Sequence, residues 1–489
     1  MAIKRYFADK NNTITNAFRS DLTTRGTGSN MGKSDILETF SIFGQADSTS
    51  AELERVLIQF PTAGIATDRT AGTLAASGSV DWYLKLYNAK HTSTLPSDYT
   101  LDVLAISAPW QEGVGMDMEE YKDLTYDQLG SNWIKRSGST SWSTPGGDYH
   151  TAPAYSANFS IGNEDLEVDV TSLVEQWLAG TKDNNGFGIK LPNTLEASSS
   201  SNEVGSLISY YTKKFFGRGT GDWFRRPVLE ARWDSTIKDD RGNFYTSSSL
   251  APGDDNINTI YLYNFVRGKL KDIPGLSNTR ELFVDLHETL GQAALTQCLT
   301  TPVTGGWYAT GIYTASVCVD STATLIRDVW YSGTIGDGYT QYHTGSIAAD
   351  SFAASNYSTT NRYTFSVTNS QEEYYPEQTA RFRFFAREKG WSPNIYTVAQ
   401  ATVPNLTFES ASYQITRVVD DYIVVGYGTG SVDHTLLSYD VSGNYFDFDM
   451  SMLEPGYMYA IHLSIYDDAI KSYIEQPADF KFKVNKYEY

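Results

Sequence analysis

Apolar and polar positions alternate with a period of two along most of this chain. In Arg55-Val56-Leu57-Ile58-Gln59-Phe60, Val56, Ile58 and Phe60 share one face; in Trp82-Tyr83-Leu84-Lys85-Leu86-Tyr87, Trp82, Leu84 and Leu86 do. That is the period of a strand with one face in a core. Strand-like stretches recur at Arg5–Ala8, Ile36–Phe43, Leu101–Ile106, Leu166–Val170, Phe187–Leu191, Leu207–Tyr211 and Val228–Trp233, separated by loops of Gly, Ser, Asn and Asp. Short strands punctuated by turn residues predict an antiparallel sandwich over residues 1–235 rather than a βαβ fold. Two helices interrupt it. One, acidic, is expected over Met118–Leu129. The other lies within Asp169–Leu178, where Thr171 can cap, Val174, Trp177 and Leu178 fall on one side, and Gly180 can end the helix.

The alternation lapses across Asp234–Asp255 and resumes in Ile260–Val266, Trp307–Val319 and Leu325–Tyr331, which predict a small sandwich over residues 256–360. A further series, Tyr363–Val367, Arg381–Ala386, Ser412–Val419, Tyr422–Tyr427, Tyr445–Met450, Tyr457–Tyr466 and Phe480–Val484, predicts a third over residues 361–489. The spacing of both series fits immunoglobulin-like sandwiches. The expected fold class is all-β, multidomain antiparallel β-sandwiches.

Composition agrees. The 34 Tyr, 23 Phe and 39 Gly against 15 Pro favour pleated surfaces joined by turns. The formal charge of −20 argues against nucleic acid and anionic membranes as partners, since phosphate binding rests on Lys and Arg. No run reaches the roughly 18 apolar residues of a membrane span. The N-terminus turns polar at once, so no signal peptide is expected and folding is placed in a cytoplasm. Cys298 and Cys318 are expected as buried, reduced strand residues, close enough in space to bridge after lysis.

The search for reactive groups selects no catalytic residue. His287-Glu288 lacks a second His, because Gly291 stands where a zincin helix needs it, and Phe216–Gly221 lacks the lysine of a phosphate loop. Asp254 with Asp255, and Asp447 with Asp449, are oxygen-rich enough to hold calcium, without EF-hand spacing; otherwise no cofactor is expected. Aromatics outside the alternating strands are the notable surplus. Trp133, Trp142, Tyr149, Trp223, Trp307 and Trp391 are candidates for stacking on sugar rings or for anchoring a protein interface.

Four stretches carry a resemblance. They are Phe7–Ile14, Glu54–Phe60, the Trp-x-Glu segment Trp110-Gln111-Glu112, and Val168–Leu178 followed by Asn184-Asn185-Gly186-Phe187-Gly188-Ile189-Lys190. Together they resemble a DNRLRE-type jelly-roll domain, which implies a jelly roll over residues 1–235. The Thr-Trp-Asn such domains carry after Trp-x-Glu is diluted here to Asn132-Trp133-Ile134, inside an apparent insertion over Met116–Ser141. The whole chain resembles virion structural proteins of cyanophages and other marine bacteriophages. That resemblance implies a non-catalytic tail, neck or fibre component, assembled in the host cytoplasm, homo-oligomeric and in contact with other phage structural proteins. The alternative is an adhesin that binds a host-surface glycan or receptor through the N-terminal jelly roll.

Overall fold

A computed structural model of the chain describes residues 2–91, 96–116, 130–276, 281–298, 303–334, 337–352, 362–391, 405–428, 432–467 and 470–486. The helix expected over Met118–Leu129 lies outside the described residues. The protein is almost entirely antiparallel β structure, and it divides into two compact units, Ala2–Asp234 and Ser235–Tyr489.

The first unit contains β1 (Ile3–Phe7), β2 (Lys10–Thr15), β3 (Ile36–Phe43), β4 (Ala51–Gln59), α1 (Thr62–Thr70), β5 (Asp81–Leu86), β6 (Tyr99–Ile106), β7 (Lys135–Ser137), β8 (Thr140–Ser141), β9 (Tyr149–Phe159), β10 (Leu166–Asp169), α2 (Thr171–Leu178), β11 (Phe187–Lys190), β12 (Tyr210–Phe216) and β13 (Val228–Arg232). A four-stranded sheet, β1-β13-β5-β10, and a seven-stranded one, β12-β3-β4-β11-β6-β9 with β2 beside β4, share one core. Trp82, Leu84 and Leu86 of β5 meet Val56 and Ile58 of β4 and Leu101 and Val103 of β6 there. This is the alternation seen along the chain, now facing inward from two sheets. The helices close one side of the core. Glu175 on α2 accepts from Trp82 Nε1 at 2.9 Å and pairs with Arg69 of α1 at 2.7 Å. Asp169 satisfies the first turn of α2 by accepting the Thr171 N–H at 2.9 Å, while Thr171 Oγ1 accepts from the Trp82 N–H.

The outer face of the seven-stranded sheet is also covered. Ile14, Leu53, Leu57 and Ile106 pack under Trp110, Trp133 and Trp142, which arrive from the loops between β6 and β9. These loops, including Trp133 from the apparent insertion, complete a second, smaller core.

The second unit starts with a short 3₁₀ turn, Asp240–Gly242, and β14 (Phe244–Thr246). Then come β15 (Asn258–Tyr263), β16 (Phe265–Val266), β17 (Lys269–Leu270), β18 (Leu282–His287), β19 (Val303–Ala309), β20 (Ile312–Val317), β21 (Leu325–Thr334), β22 (Asp337–Thr344) and β23 (Ile347–Ser351). One eight-stranded path, β14-β23-β21-β18-β19-β20-β15 with β22 beside β21, encloses a single core. Phe244 and Ile260, from its two end strands, both lie in that core, so the sheet folds over on itself. The run Trp307–Val319 is a hairpin, β19–β20, broken at Gly311, whose φ is +72°. Cys298 and Cys318 form a disulfide with Cα atoms 5.1 Å apart. This corrects the expectation of two reduced strand thiols: the bridge between Gln297 and Val319 sets the two cysteines opposite one another.

The remaining strands are β24 (Tyr363–Val367), β25 (Glu373–Tyr374), β26 (Thr379–Glu388), β27 (Ala411–Arg417), β28 (Tyr422–Val425), β29 (Ser438–Asp440), β30 (Gly443–Asp449), β31 (Met458–Asp467), β32 (Ser472–Glu475) and β33 (Phe480–Val484). They form a four-stranded sheet, β24-β26-β30-β29, and a six-stranded one, β25-β33-β31-β27-β28 with β32 beside β31. Rings fill the space between them: Tyr413 stacks on Phe446 at 3.8 Å, and Phe382 touches Phe446, Phe482 and Tyr374. Much of the tyrosine and phenylalanine surplus is core. The lapse in alternation before Asp255 is a tie between these β regions. Tyr439 exchanges backbone bonds with Asp239 and Ile237, its hydroxyl donates to Asp240 at 2.7 Å, and Arg241 reaches the fully buried Asp328.

Candidate interaction surfaces

The aromatic candidates separate into buried and exposed sets. Trp133 and Trp142 are 7 % and 5 % exposed, which corrects their reading as surface stacking residues. Trp142 Nε1 donates to the Asn132 carbonyl at 2.9 Å, and Trp133 lies over the Arg55 guanidinium at 5.1 Å. Tyr149 shares their fate. Its hydroxyl donates to the Gly146 carbonyl, its ring fills the space a Cβ on Gly188 would need, and burial pushes its pKa up to about 12. Trp307 Nε1 is tied to Asp272 and Trp391 is half-buried at a turn closed by Glu388. Trp223 is 44 % exposed, with its ring against Phe7 at 4.2 Å and the Arg226 guanidinium over it at 5.0 Å.

The residues behind the family resemblance are structural staples. Arg55 donates two bonds to Glu196, at 2.8 and 3.0 Å, and a third to the Gly146 carbonyl. Glu112 pairs in a bidentate manner with Arg218 and accepts the Asn11 N–H. Buried Asn12 donates to Ser131 and accepts from the Met31 N–H, fastening β2 to the covering loops. In the Asn-Asn-Gly-Phe turn, Gly186 has φ +84° and a Cβ there would strike the Ile58 carbonyl. These groups are saturated by internal partners.

The acidic candidates are also engaged or solvated. Asp447 is held by both arms of Arg381, at 2.7 and 2.8 Å, and Asp449 caps the turn at Ser451. Asp254 and Asp255 stand exposed in a 3₁₀ turn. Among the described residues, no three His, Cys, Asp or Glu side chains gather as a metal-ligand group. A buried charge cluster lies on the outer face of the four-stranded sheet. Glu230 is 2 % exposed and contacts Arg5 and Arg232 at 2.7 Å and Lys85 at 3.8 Å, while Glu167 joins Arg232 and Lys85 from the side. Burial works to raise the Glu230 pKa, but the charges of Lys85, Arg5 and Arg232 outweigh it and hold the carboxyl well below the usual range.

Among the described residues, the surfaces open to a partner include two. The first is an apolar run at the edge of the seven-stranded sheet. Val204, Leu207, Ile208 and Tyr210 are 66–72 % exposed and lead into β12, the terminal strand, where Tyr210 stacks on Tyr211. Leu207–Tyr211 reads as a strand in the sequence, but β12 opens only at Tyr210, which leaves Leu207 and Ile208 as exposed loop residues beyond the Ser-rich Ala197–Asn202. The second is a groove of about 660 Å³ on the solvent face of β18, β21 and β22. Phe283, Tyr331 and Tyr339 line it in a row, with ring centroids 5.7 and 5.1 Å apart. The turn after β18, held where His287 Nδ1 lies 3.1 Å from the Gln292 carbonyl, forms one wall.

Comparison with known proteins adds little. No family model matches the chain, and no curated protein matches it. Among solved structures it has a likeness, at 8 % identity and TM-score 0.15, to one described as the anomalous substructure of titin A168–169, covering 51 % of this chain and 95 % of that one. A DUF4785 family protein from Legionella pneumophila aligns over 98 % of this chain and 92 % of its own, at 8 % identity and TM-score 0.13.

Proposed function

We propose that the chain is a non-catalytic structural subunit of a bacteriophage particle, in a tail, neck or fibre, that works through interfaces with neighbouring subunits and with copies of itself. The observation that carries this reading is the apolar run Val204–Tyr210 beside the terminal strand β12. Large apolar side chains clustered on a surface mark contact sites, whereas scattered ones do not. A strand at a sheet edge adds backbone groups able to pair with another chain. Fully burying a side chain of this size contributes about 1.5–3 kcal/mol, so four of them offset much of the cost of association, about 4–15 kcal/mol. The resemblance of residues 1–235 to a DNRLRE-type jelly roll supports the particle reading. The competing adhesin reading loses Trp133 and Trp142 to the core and retains Trp223.

Light scattering on the full chain tests the interface. An oligomer is expected, reverting to monomer in Leu207→Ser/Ile208→Ser with an unchanged melting temperature. Immunogold labelling of purified particles tests the location. A wild-type chain monomeric at every concentration, or antigen confined to infected-cell lysate, would sink the proposal.

A further inference from the structure

We infer that the groove on β18, β21 and β22 is a binding site for a neutral saccharide. The inference is independent of the particle reading, since it concerns another face of the molecule and requires no assembly.

The argument begins with strand parity. Leu282, Val284 and Leu286 of β18 point into the core, which turns Phe283, Asp285 and His287 to the opposite face. Phe283 pairs with Tyr331 across the ladder, and Tyr331 pairs with Gln341 of β22. Three rings therefore stand side by side on a rigid sheet, with Tyr339 the most exposed of them. A groove of about 660 Å³ falls within the roughly 300–1,000 Å³ of small-molecule sites.

The polar groups select the ligand. Asp285 lines the groove beside Tyr331, and its carboxylate oxygens act only as acceptors. Gln341 and Gln292 add amides that both donate and accept. Among the described residues, none of those lining the groove is Lys or Arg. A phosphate or carboxylate ligand would meet the Asp285 charge with no Lys or Arg among those residues to offset it. A purely apolar ligand would strip water from Asp285 without supplying a donor. A pyranose meets both demands: its C–H face stacks on the rings, and its hydroxyls donate to the carboxylate and exchange bonds with the amides.

The test is a printed array of neutral, sulfated and sialylated oligosaccharides probed with the full chain, followed by titration calorimetry with the best neutral oligosaccharide. Neutral glycans are expected to be retained. Tyr339→Ala should weaken binding at least tenfold and Gln341→Ala several-fold, with melting temperatures unchanged because both side chains are exposed. An array silent for neutral glycans would overturn the inference. So would retention of charged glycans alone, or binding that survives Tyr339→Ala and is lost in Trp223→Ala, which would move the site to the first unit.

Discussion

Replacing Glu230 with Gln keeps the size of the side chain and removes its charge from a buried ion cluster of the first unit. Around it stand three cations, Arg5, Lys85 and Arg232, and one further anion, Glu167. With Glu230 ionised the cluster carries a single excess positive charge; with Gln it carries two. Removing one partner of a buried pair costs about 3–5 kcal/mol, because the remaining charges stay desolvated. For a unit of this size each kcal/mol shifts the midpoint by about 2–4 °C, so the transition of the first unit should fall by roughly 6–20 °C. Seven of the ten tryptophans lie between Ala2 and Asp234, so tryptophan fluorescence during thermal or urea unfolding reports mainly on that unit. Glu167→Gln is the control. At 41 % side-chain exposure it should cost less than about 1 kcal/mol. The pH dependence has a definite sign. A carboxyl whose folded pKa is depressed stabilises fully above its unfolded value, 4.5, and loses that contribution as pH falls below it. Wild type and Glu230→Gln should therefore converge in stability as the pH drops through this window. A difference under about 1 kcal/mol at pH 7, or a gap that widens in acid, would refute the account.

Other perturbations test other parts of the fold. Gly186→Ala places a Cβ against the Ile58 carbonyl at a positive φ, so it should destabilise the first unit by more than the roughly 1–2 kcal/mol of the left-handed conformation alone; urea midpoints measure this. The Cys298–Cys318 disulfide closes a separation of 20 residues, so Cys298→Ser/Cys318→Ser should cost about 3 kcal/mol in the chain-entropy account. Reduction of the wild type should reproduce that loss in calorimetry. Asp239 has its pKa raised to about 6, chiefly by burial, against the opposing charge of Arg241. Its folded form thus binds a proton more readily than the unfolded chain, so its ionised form weakens the second unit above pH 6, and that penalty is relieved as pH falls toward 3.8. Asp239→Asn should accordingly stabilise the second unit more at pH 8 than at pH 5, a comparison that hydrogen exchange over residues 235–246 can make.

How far the chain could be read depended on whether burial followed a period. Ile36–Phe43, Tyr363–Val367 and Phe480–Val484 are strands with the bounds their alternation predicts. Helix α1 escaped because Ile65 is its single buried residue; a Thr- and Ala-rich turn with no apolar stripe carries no 3.6-residue signal, and Pro61 ahead of Thr62 was its only mark. Trp133 and Trp142 stand outside the alternating strands in the sequence for a related reason. They are buried by loops draped over a sheet, and a draped loop imposes no repeat. The sequence places Cys298 and Cys318 close enough to bridge but not as a formed disulfide, because their alignment depends on the bridge between Gln297 and Val319, a tertiary contact that spacing does not encode. The groove went unread because its residues come from three strands, and Phe283, Asp285 and Tyr339 each look like ordinary outward positions.

The strongest sequence signals proved to be those of architecture. Arg55, Glu112, Asn12 and Gly186 stand out in the chain, and each is engaged internally: by Glu196, by Arg218, by Ser131, and by the tight approach of the Ile58 carbonyl. A buried arginine or asparagine must find all its partners inside, which restricts its position more severely than a surface contact does. Motifs of this kind therefore report how a sandwich is stapled and stay silent about what it meets. The contacts proposed for this protein instead draw on residues at the surface: the apolar run Val204–Tyr210 and the ring row Phe283–Tyr331–Tyr339. Substitutions at the staples should change stability and leave intrinsic partner binding intact in the folded fraction, whereas substitutions in the run or the row should do the reverse. A Leu207→Ser/Ile208→Ser chain that unfolds rather than dissociates would show that the division between staple and surface has been drawn in the wrong place.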